Sequence, residues 1–262
     1  CGWSNQCPQQ RSLQKRAMKL LSAIVFLSFI LISMLFITGS ASAAPSNGTV
    51  LAVKLDSAIT PASDDIVAAA FQDAESGNYQ AILLILDTPG GGLAETMTII
   101  EQVERTPLPV IGYVYPDGAK SWSAGTLILM SSDVAAMAPH TIIGSAQPVT
   151  LSPTGGTVPI NDSKTINAIV ALIEEKAKKH GRNSTAAREF VLSNLNLNAD
   201  DAKKFGSIEY VSPDPQDLLR QANGLRVKNV TLSTNNSEVI FFEPPINLQF
   251  LKLLSDPMIA GL

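Results

Sequence analysis

The stretch AILLILDTPGGG, residues 81–92, is an apolar run that passes through Asp87, Thr88 and Pro89 into Gly90, Gly91 and Gly92. A strand wetted on one face alternates apolar and polar side chains, whereas an unbroken apolar run is a strand buried on both faces. TVLAVKL (49–55) and PVIGYVYP (109–116) read the same way, and DVAAMA (133–138) reads as a shorter strand. Helical stretches lie between them. SDDIVAAAFQDAESG (63–77) has Ser63 as N-cap and Gly77 as stop, LAETMTIIEQVERT (93–106) follows the glycines, and a third helix starts near Ser123. Buried strands alternating with helices predict an α/β fold with a parallel sheet covered on both faces. Further on, Asp162 or Ser163 caps KTINAIVALIEEKAKKHG (164–181), where Ile166, Ile169, Val170 and Ile173 form one apolar stripe and Gly181 ends the helix. Shorter helices are expected over Thr185–Ser193 and Ala199–Phe205, with IEYV (208–211) and EVIFF (238–242) as late strands.

The 262 residues are 45% hydrophobic and 16% charged, with a formal net charge of -4. That composition excludes a disordered chain and offers no basic patch for nucleic acid. Cys1 and Cys7 both precede Met18 and are expected to lie outside the mature protein, so cysteine catalysis and a disulfide framework drop out. His140 and His180 are too few for a histidine-rich metal site. Lys15, Arg16 and Lys19 precede LLSAIVFLSFILISMLFITG (20–39), and SASAAP (40–45) offers an A-x-A cleavage pattern at Ala41 and Ala43. This reads as a secretory leader cut after Ala43, or as an uncleaved membrane anchor, since the run is long enough to span a bilayer. In both cases the remainder is exported. N-x-S/T sequons at Asn47, Asn161, Asn183, Asn229 and Asn235 permit glycosylation. The expected division is 1–43 as leader or anchor, 44–235 as one domain with a sizeable core, and 236–262 as an apolar tail leading toward a membrane region.

Two features could carry chemistry. In LDTPGGG the glycines let the backbone approach a ligand with N–H groups unshielded, as an oxyanion requires; the alternative is a tight turn that merely needs glycine. Ser123, in KSWSAGTLILM, opens a helix. It is either the N-cap, its oxygen taken by a backbone N–H, or a nucleophile with small residues after it and the helix dipole behind it.

Taken in order, LDTPGGG, PVIGYVYPDGAKSWSAGTLILMSSDVAAMAPHTIIGSAQPV and KKHGRNSTAAREFVLSNLNLNADDAKKFGSIEYV resemble the Clp-peptidase/crotonase superfamily. Within it the sequence is similar to the membrane-associated serine proteases of the NfeD group over roughly Val50 to Asn223. The resemblance implies a superhelix of repeated strand–strand–helix units and an endopeptidase with a Ser–Lys dyad. Ser123 would be the nucleophile, Lys164 the base, and Gly90 or Gly91 with Ala124 the oxyanion donors. It implies no metal or nucleotide cofactor. It further implies a homo-oligomer built on dimers, and a stomatin-like membrane protein as partner, a hydrophobic segment of which is cut.

Lys164 falls in the first turn of its helix, where the dipole repels a cation and helps to lower a pKa that is ordinarily about 10.4. Clp-type relatives carry a triad histidine just ahead of a Gln-Pro pair; here Ala146 precedes Gln147–Pro148 and that slot is empty. His140 reads as a loop histidine and is the other candidate base, while Lys120 reads as an exposed loop cation. Ser121 lacks the small residues that follow Ser123. Lys120-Ser121-Trp122 interrupts a run of small residues usual in the family. Trp122 either lines the binding site, together with Gly92, or packs inward. Two other readings are a non-catalytic scaffold that binds a stomatin-like protein, and a crotonase-type acyl-CoA enzyme with the oxyanion turn but no serine nucleophile.

Overall fold

The computed structural model describes residues 48–152 and 156–255, so the expected leader or anchor over 1–43 and both cysteines lie outside the described residues. In chain order the elements are β1 (Val50–Leu55), α1 (Pro61–Ser76), β2 (Ala81–Leu86), α2 (Leu93–Arg105), β3 (Val110–Val114), β4 (Lys120–Trp122), α3 (Ala124–Ser131), β5 (Val134–Met137) and β6 (Ile142–Gly144). There follow β7 (Val149–Leu151), β8 (Thr157–Pro159), α4 (Ser163–Lys179), α5 (Ser184–Leu192), β9 (Asn196–Asn198), α6 (Ala199–Lys204) and β10 (Tyr210–Val211). The chain continues through α7 (Pro215–Ala222), β11 (Arg226–Val227), β12 (Val230–Thr231), β13 (Val239–Phe241) and α8 (Ile246–Leu254).

The main sheet has the order β10-β5-β3-β2-β1-β13 and every pairing in it is parallel. Every residue of β2 and β3 is buried, as their unbroken apolar sequences require. Leu51, Ile82, Leu84 and Leu86 pack on one face against Phe71, Ile99, Ile128 and Ile173 from the helices. Ala52, Leu83, Ile85 and Tyr113 pack on the other against Leu218 and Leu219 of α7. Each fully buried branched side chain contributes about 1.5–3 kcal/mol.

A second, smaller layer gives the fold its repeat. After β1 comes Ile59, which bridges Gly91 in parallel; after β2 comes Thr88, which bridges Ser121 in parallel. After β3 comes β4, which pairs in parallel with β6, and β6 pairs antiparallel with β9. A helix follows each of the first three. The unit is therefore a long strand, a short strand or bridge, and a helix, as the sequence resemblance implies.

Several boundaries differ from expectation. The first helix is capped by Thr60 rather than Ser63, because Pro61 is preset for the first helical position and the Thr60 N–H donates to Ser63 Oγ at 3.0 Å. Lys120 lies in β4 rather than a loop. The break drawn after residue 235 falls within the sheet: β13 pairs with β1, Val239 opposite Val50, so the chain after Ser237 adds an edge strand. Beyond it α8 packs Leu248 toward the core and pairs Lys252 with Asp56 at 2.7 Å, while Ile246 and Phe250 remain 80% and 61% exposed. Among the described residues no helix is long and apolar enough to cross a membrane.

Candidate active site

The carboxyl end of β2 and the turn between β4 and α3 meet at one cleft of about 610 Å³. Its walls include Gly90, Gly91, Gly92, Ser123, Ala124 and Ala146, with Leu93, Leu127, Val149, Ile160 and Ile169 making it largely apolar.

Ser123 occupies the N-cap position of α3 with φ 50° and ψ -113°. An L-residue pays strain there, and such strain persists where the surroundings fix it. Two bonds fix it here: its N–H donates to the Gly144 carbonyl at 3.0 Å, and its own carbonyl accepts from the Leu127 N–H at 3.2 Å. Strand, strained serine and helix together form a sharp elbow that presents the side chain to the cleft. The hydroxyl makes no capping bond to the helix. The N-cap position is therefore occupied while the cap's usual hydrogen bond is absent, and Oγ is free for other chemistry.

The glycine turn abuts this elbow. Gly90 has φ 111°, and a β-carbon on it would stand 2.7 Å from Ser123 Cβ. Gly91 lies against the backbone of Ile59, so neither position admits a side chain. The amides then separate by partner. Gly90 N–H donates to Thr88 Oγ1 at 3.1 Å, and Gly92 N–H donates to the Ile59 carbonyl at 2.9 Å. Among the described residues no acceptor takes the N–H of Gly91 or of Ala124, the first residue of α3. Gly90, a candidate donor by sequence, is thus already engaged by Thr88.

The far end of α3 is held by Arg182, 5% exposed, whose Nη1 donates to the carbonyls of Met130 and Ser132, each at 2.9 Å. Its other nitrogens form a two-point contact with Glu209, at 2.8 and 2.7 Å. The serine's helix is therefore anchored at both ends.

Lys164 lies in the first turn of α4, as expected, with Asp162 as the N-cap. The Asp162 carboxylate accepts from the Thr165 hydroxyl and N–H and from the Lys164 N–H, and these bonds hold its pKa below the usual range. The Lys164 side chain is exposed and lines an adjoining depression with Met97, Thr165 and Leu172. That depression shares the walls Leu93 and Ile169 with the serine's cleft, so the lysine is a neighbour of the cleft rather than part of its lining. Ala146, just before Gln147 and Pro148, lines the cleft and is 3% exposed. His140 is instead on an exposed loop, its Nδ1 2.9 Å from Asp117 Oδ1.

Trp122 does not line the cleft: strand alternation buries Ser121 and turns Trp122 outward, with the Lys120 ammonium 5.7 Å from its ring centroid. Among the described residues no group of His, Cys, Asp and Glu could hold a metal ion. Two residues escaped the sequence reading, one behind the cleft and one in its wall. Thr88, fully buried, orders the glycine turn, and Ser145, at φ 50°, stands beside Ser123. The signal for Ser145 was the parallel between KSWSAG and TIIGSA, a short strand ending in serine and a small residue.

Comparison with known proteins gives a consistent set of relatives. The family described as NfeD1b, N-terminal domain, matches residues 49–231. The chain is 35% identical over 239 residues to the membrane-bound protease PH1510 of Pyrococcus horikoshii, covering 89% of this chain and 54% of that protein. It therefore spans about half the length of the curated relative it matches. Among solved structures it is similar to a serine-to-alanine variant of the 1510-N membrane-bound stomatin-specific protease, with TM-score 0.72 and 36% identity over 76% of this chain and 100% of that one. It is also similar to a lysine-to-alanine variant of the same protease in complex with a substrate peptide, with TM-score 0.75 and 34% identity over 80% and 99% of the two chains. A further structure of 1510-N, described as specific for a stomatin homolog from Pyrococcus horikoshii, gives TM-score 0.67 at 33% identity over 80% and 100%.

Proposed function

The chain belongs to the NfeD1b family through its N-terminal domain, and from that premise we propose that it is a serine endopeptidase with Ser123 as nucleophile and Lys164 as base. The observation that carries this reading is the strained Ser123 elbow, its hydroxyl uncapped, next to the unpartnered amides of Gly91 and Ala124. The serine and lysine replaced in the two solved variants are separated by the same number of positions as Ser123 and Lys164, which supports the pairing.

In this mechanism the long Lys164 side chain reaches over Leu93 and Ile169 into the cleft as a neutral amine. It takes the Ser123 proton while Oγ attacks the scissile carbonyl carbon. The Gly91 and Ala124 amides, with the positive end of α3 behind them, hold the oxyanion, and a donor of this kind contributes about 3–4 kcal/mol. The ammonium returns its proton to the leaving amine as the C–N bond breaks. A water then releases the acyl group by the same route.

The largely apolar walls of the cleft suit a hydrophobic segment. The relatives are described as membrane-bound and stomatin-specific, so the substrate class we propose is an apolar stretch of a stomatin-like membrane protein, cut at the membrane surface by a homo-oligomer built on dimers. The test is cleavage of a hydrophobic peptide library by wild type, Ser123→Ala and Lys164→Ala, with folding checked by circular dichroism. Loss of cleavage in both variants is the expected result. A wild type that binds peptides and cuts none would favour a scaffold.

A further inference from the structure

We propose that Asn229 is a modification site, its side-chain amide receiving an oligosaccharide from a membrane oligosaccharyltransferase. The proposal needs the domain on the exported side of the membrane, where the leader or anchor expected over 1–43 would put it. It does not depend on the Ser123–Lys164 reading.

Geometry separates the sequons that lie among the described residues. Transfer needs the asparagine amide nitrogen free to react and the hydroxyl two positions on within reach of the transferase. Asn183 fails the first requirement. It caps α5, its Oδ1 accepting from the N–H groups of Thr185 and Ala186 at 2.9 and 3.1 Å, and its Nδ2 donates to the Phe205 carbonyl at 3.0 Å. Asn235 fails the second, since Ser237 is buried. Asn161 is exposed, but it stands between Ile160, a wall of the cleft, and Asp162, beside Lys164, so an oligosaccharide there would obstruct the substrate.

Asn229 meets both requirements. Lys228 and Asn229 form the two-residue turn between β11 and β12, with Lys228 at φ 52°. Register puts Val227 opposite Val230 and Arg226 opposite Thr231. Val227 packs into the core, so alternation turns Arg226 and Thr231 outward. Asn229 and Thr231 are both exposed, and neither side chain makes a hydrogen bond among the described residues.

The turn is held still and far from the catalytic cleft. Lys228 Nζ donates to the carbonyls of Val103, Thr106 and Leu108 at 3.1, 2.8 and 2.9 Å, with Asp133 Oδ2 3.1 Å away. Leu108 and Asp133 lie just before β3 and β5, so the turn is pinned at the amino edge of the parallel sheet, whereas the cleft opens at the carboxyl end of β2. The six residues of β2 separate those two edges by roughly 17–20 Å. Beside Thr231 lies a depression of about 660 Å³ whose walls include Gln80, Ser233, Asn236 and Glu238. Amide, hydroxyl and carboxylate groups match the hydroxyls of a sugar, so the first sugars have a polar seat next to their attachment point.

In the transfer, Asn229 Nδ2 bonds to the anomeric carbon of a lipid-linked oligosaccharide. The bond from that carbon to a phosphate oxygen breaks, and the lipid phosphate leaves with the amide proton.

The test is peptide mapping by mass spectrometry of the full chain isolated from the membranes of the cells that make it. Protease accessibility in intact cells gives a separate measure of export. We expect an added oligosaccharide mass on the peptide that holds Asn229. Asn229→Gln and Thr231→Ala should lose that mass and Thr231→Ser keep it, with melting temperatures as the folding control. A fluorophosphonate labels an active serine, Ser123 Oγ bonding to phosphorus as fluoride leaves, and its rate should be the same with and without the sugar. A bare Asn229 on a domain that protease reaches would overturn the proposal, as would sugar on Asn161, Asn183 or Asn235 in its place. A domain shielded from protease would overturn it through export and leave the Ser123 chemistry untouched.

Discussion

Gly91 lies flat against Ile59, so close that a β-carbon on Gly91 would stand 2.5 Å from the Ile59 nitrogen and nearer still to its carbonyl oxygen. The Ile59 N–H donates to Gly90 O and the Ile59 carbonyl accepts from Gly92 N–H, both at 2.9 Å. Two backbone bonds thus fasten the glycine turn to the segment after β1 and leave the Gly91 amide without a partner. Gly91→Ala should push the turn off Ile59. We expect a loss of about 1–3 kcal/mol, seen as a lower melting temperature, together with at least a tenfold slower labelling of Ser123.

Thr88 acts on the same turn from the other side, its Oγ1 accepting the Gly90 N–H at 3.1 Å within a fully buried site. Thr88→Val keeps the volume and removes the acceptor, stranding a buried amide. The expected loss is about 1–3 kcal/mol in urea denaturation, with the slope of the transition unchanged.

Glu209 is the counter-ion of Arg182, which itself ties down the last carbonyls of the nucleophile's helix. Glu209→Ala leaves a buried guanidinium without its charge partner, at a cost of up to about 3–5 kcal/mol. Replacing both residues together with apolar ones should cost less than the single change, which a double-mutant cycle would read directly.

His180 caps the end of α4 with Nε2 buried and, among the described residues, without a hydrogen-bond partner. Burial, then the nearby Arg182 guanidinium and the Lys179 ammonium, push its pKa down to about 4, with Glu104 opposing and Lys176 assisting. The unfolded chain, with a histidine pKa near 6.5, binds a proton that the folded chain refuses between those two values. Stability from this group is complete above about pH 6.5 and falls as pH drops toward 4. His180→Gln should flatten that part of the stability profile in chemical denaturation at stepped pH.

The larger part of the fold was legible because β2 and β3 are buried on both faces and their sequences contain nothing but apolar residues. The small layer was not. β4 and β6 have three residues each, too few for any periodicity to register. The domain boundary expected after residue 235 falls instead in a turn at Asn235 and Asn236, after which Val239 pairs with Val50. At the site, order along the chain sufficed to nominate Ser123, the glycines and Ala124. Which glycine amide is unpartnered depends on Thr88 Oγ1, a contact between side chain and backbone that no spacing encodes. The direction of Trp122 follows from a strand too short to be recognised. The helix turn of Lys164 follows from its cap, whereas the depression its side chain faces is set by packing of α4 on Leu93 and Met97.

If Ser123 is the nucleophile, the intact mass of the chain after treatment with a fluorophosphonate, followed by peptide mapping, shows a single adduct, on Ser123. That adduct is absent from Ser123→Ala while the variant melts like the wild type. An adduct on Ser121 or Ser145, or none at all on the folded wild type, would contradict that role.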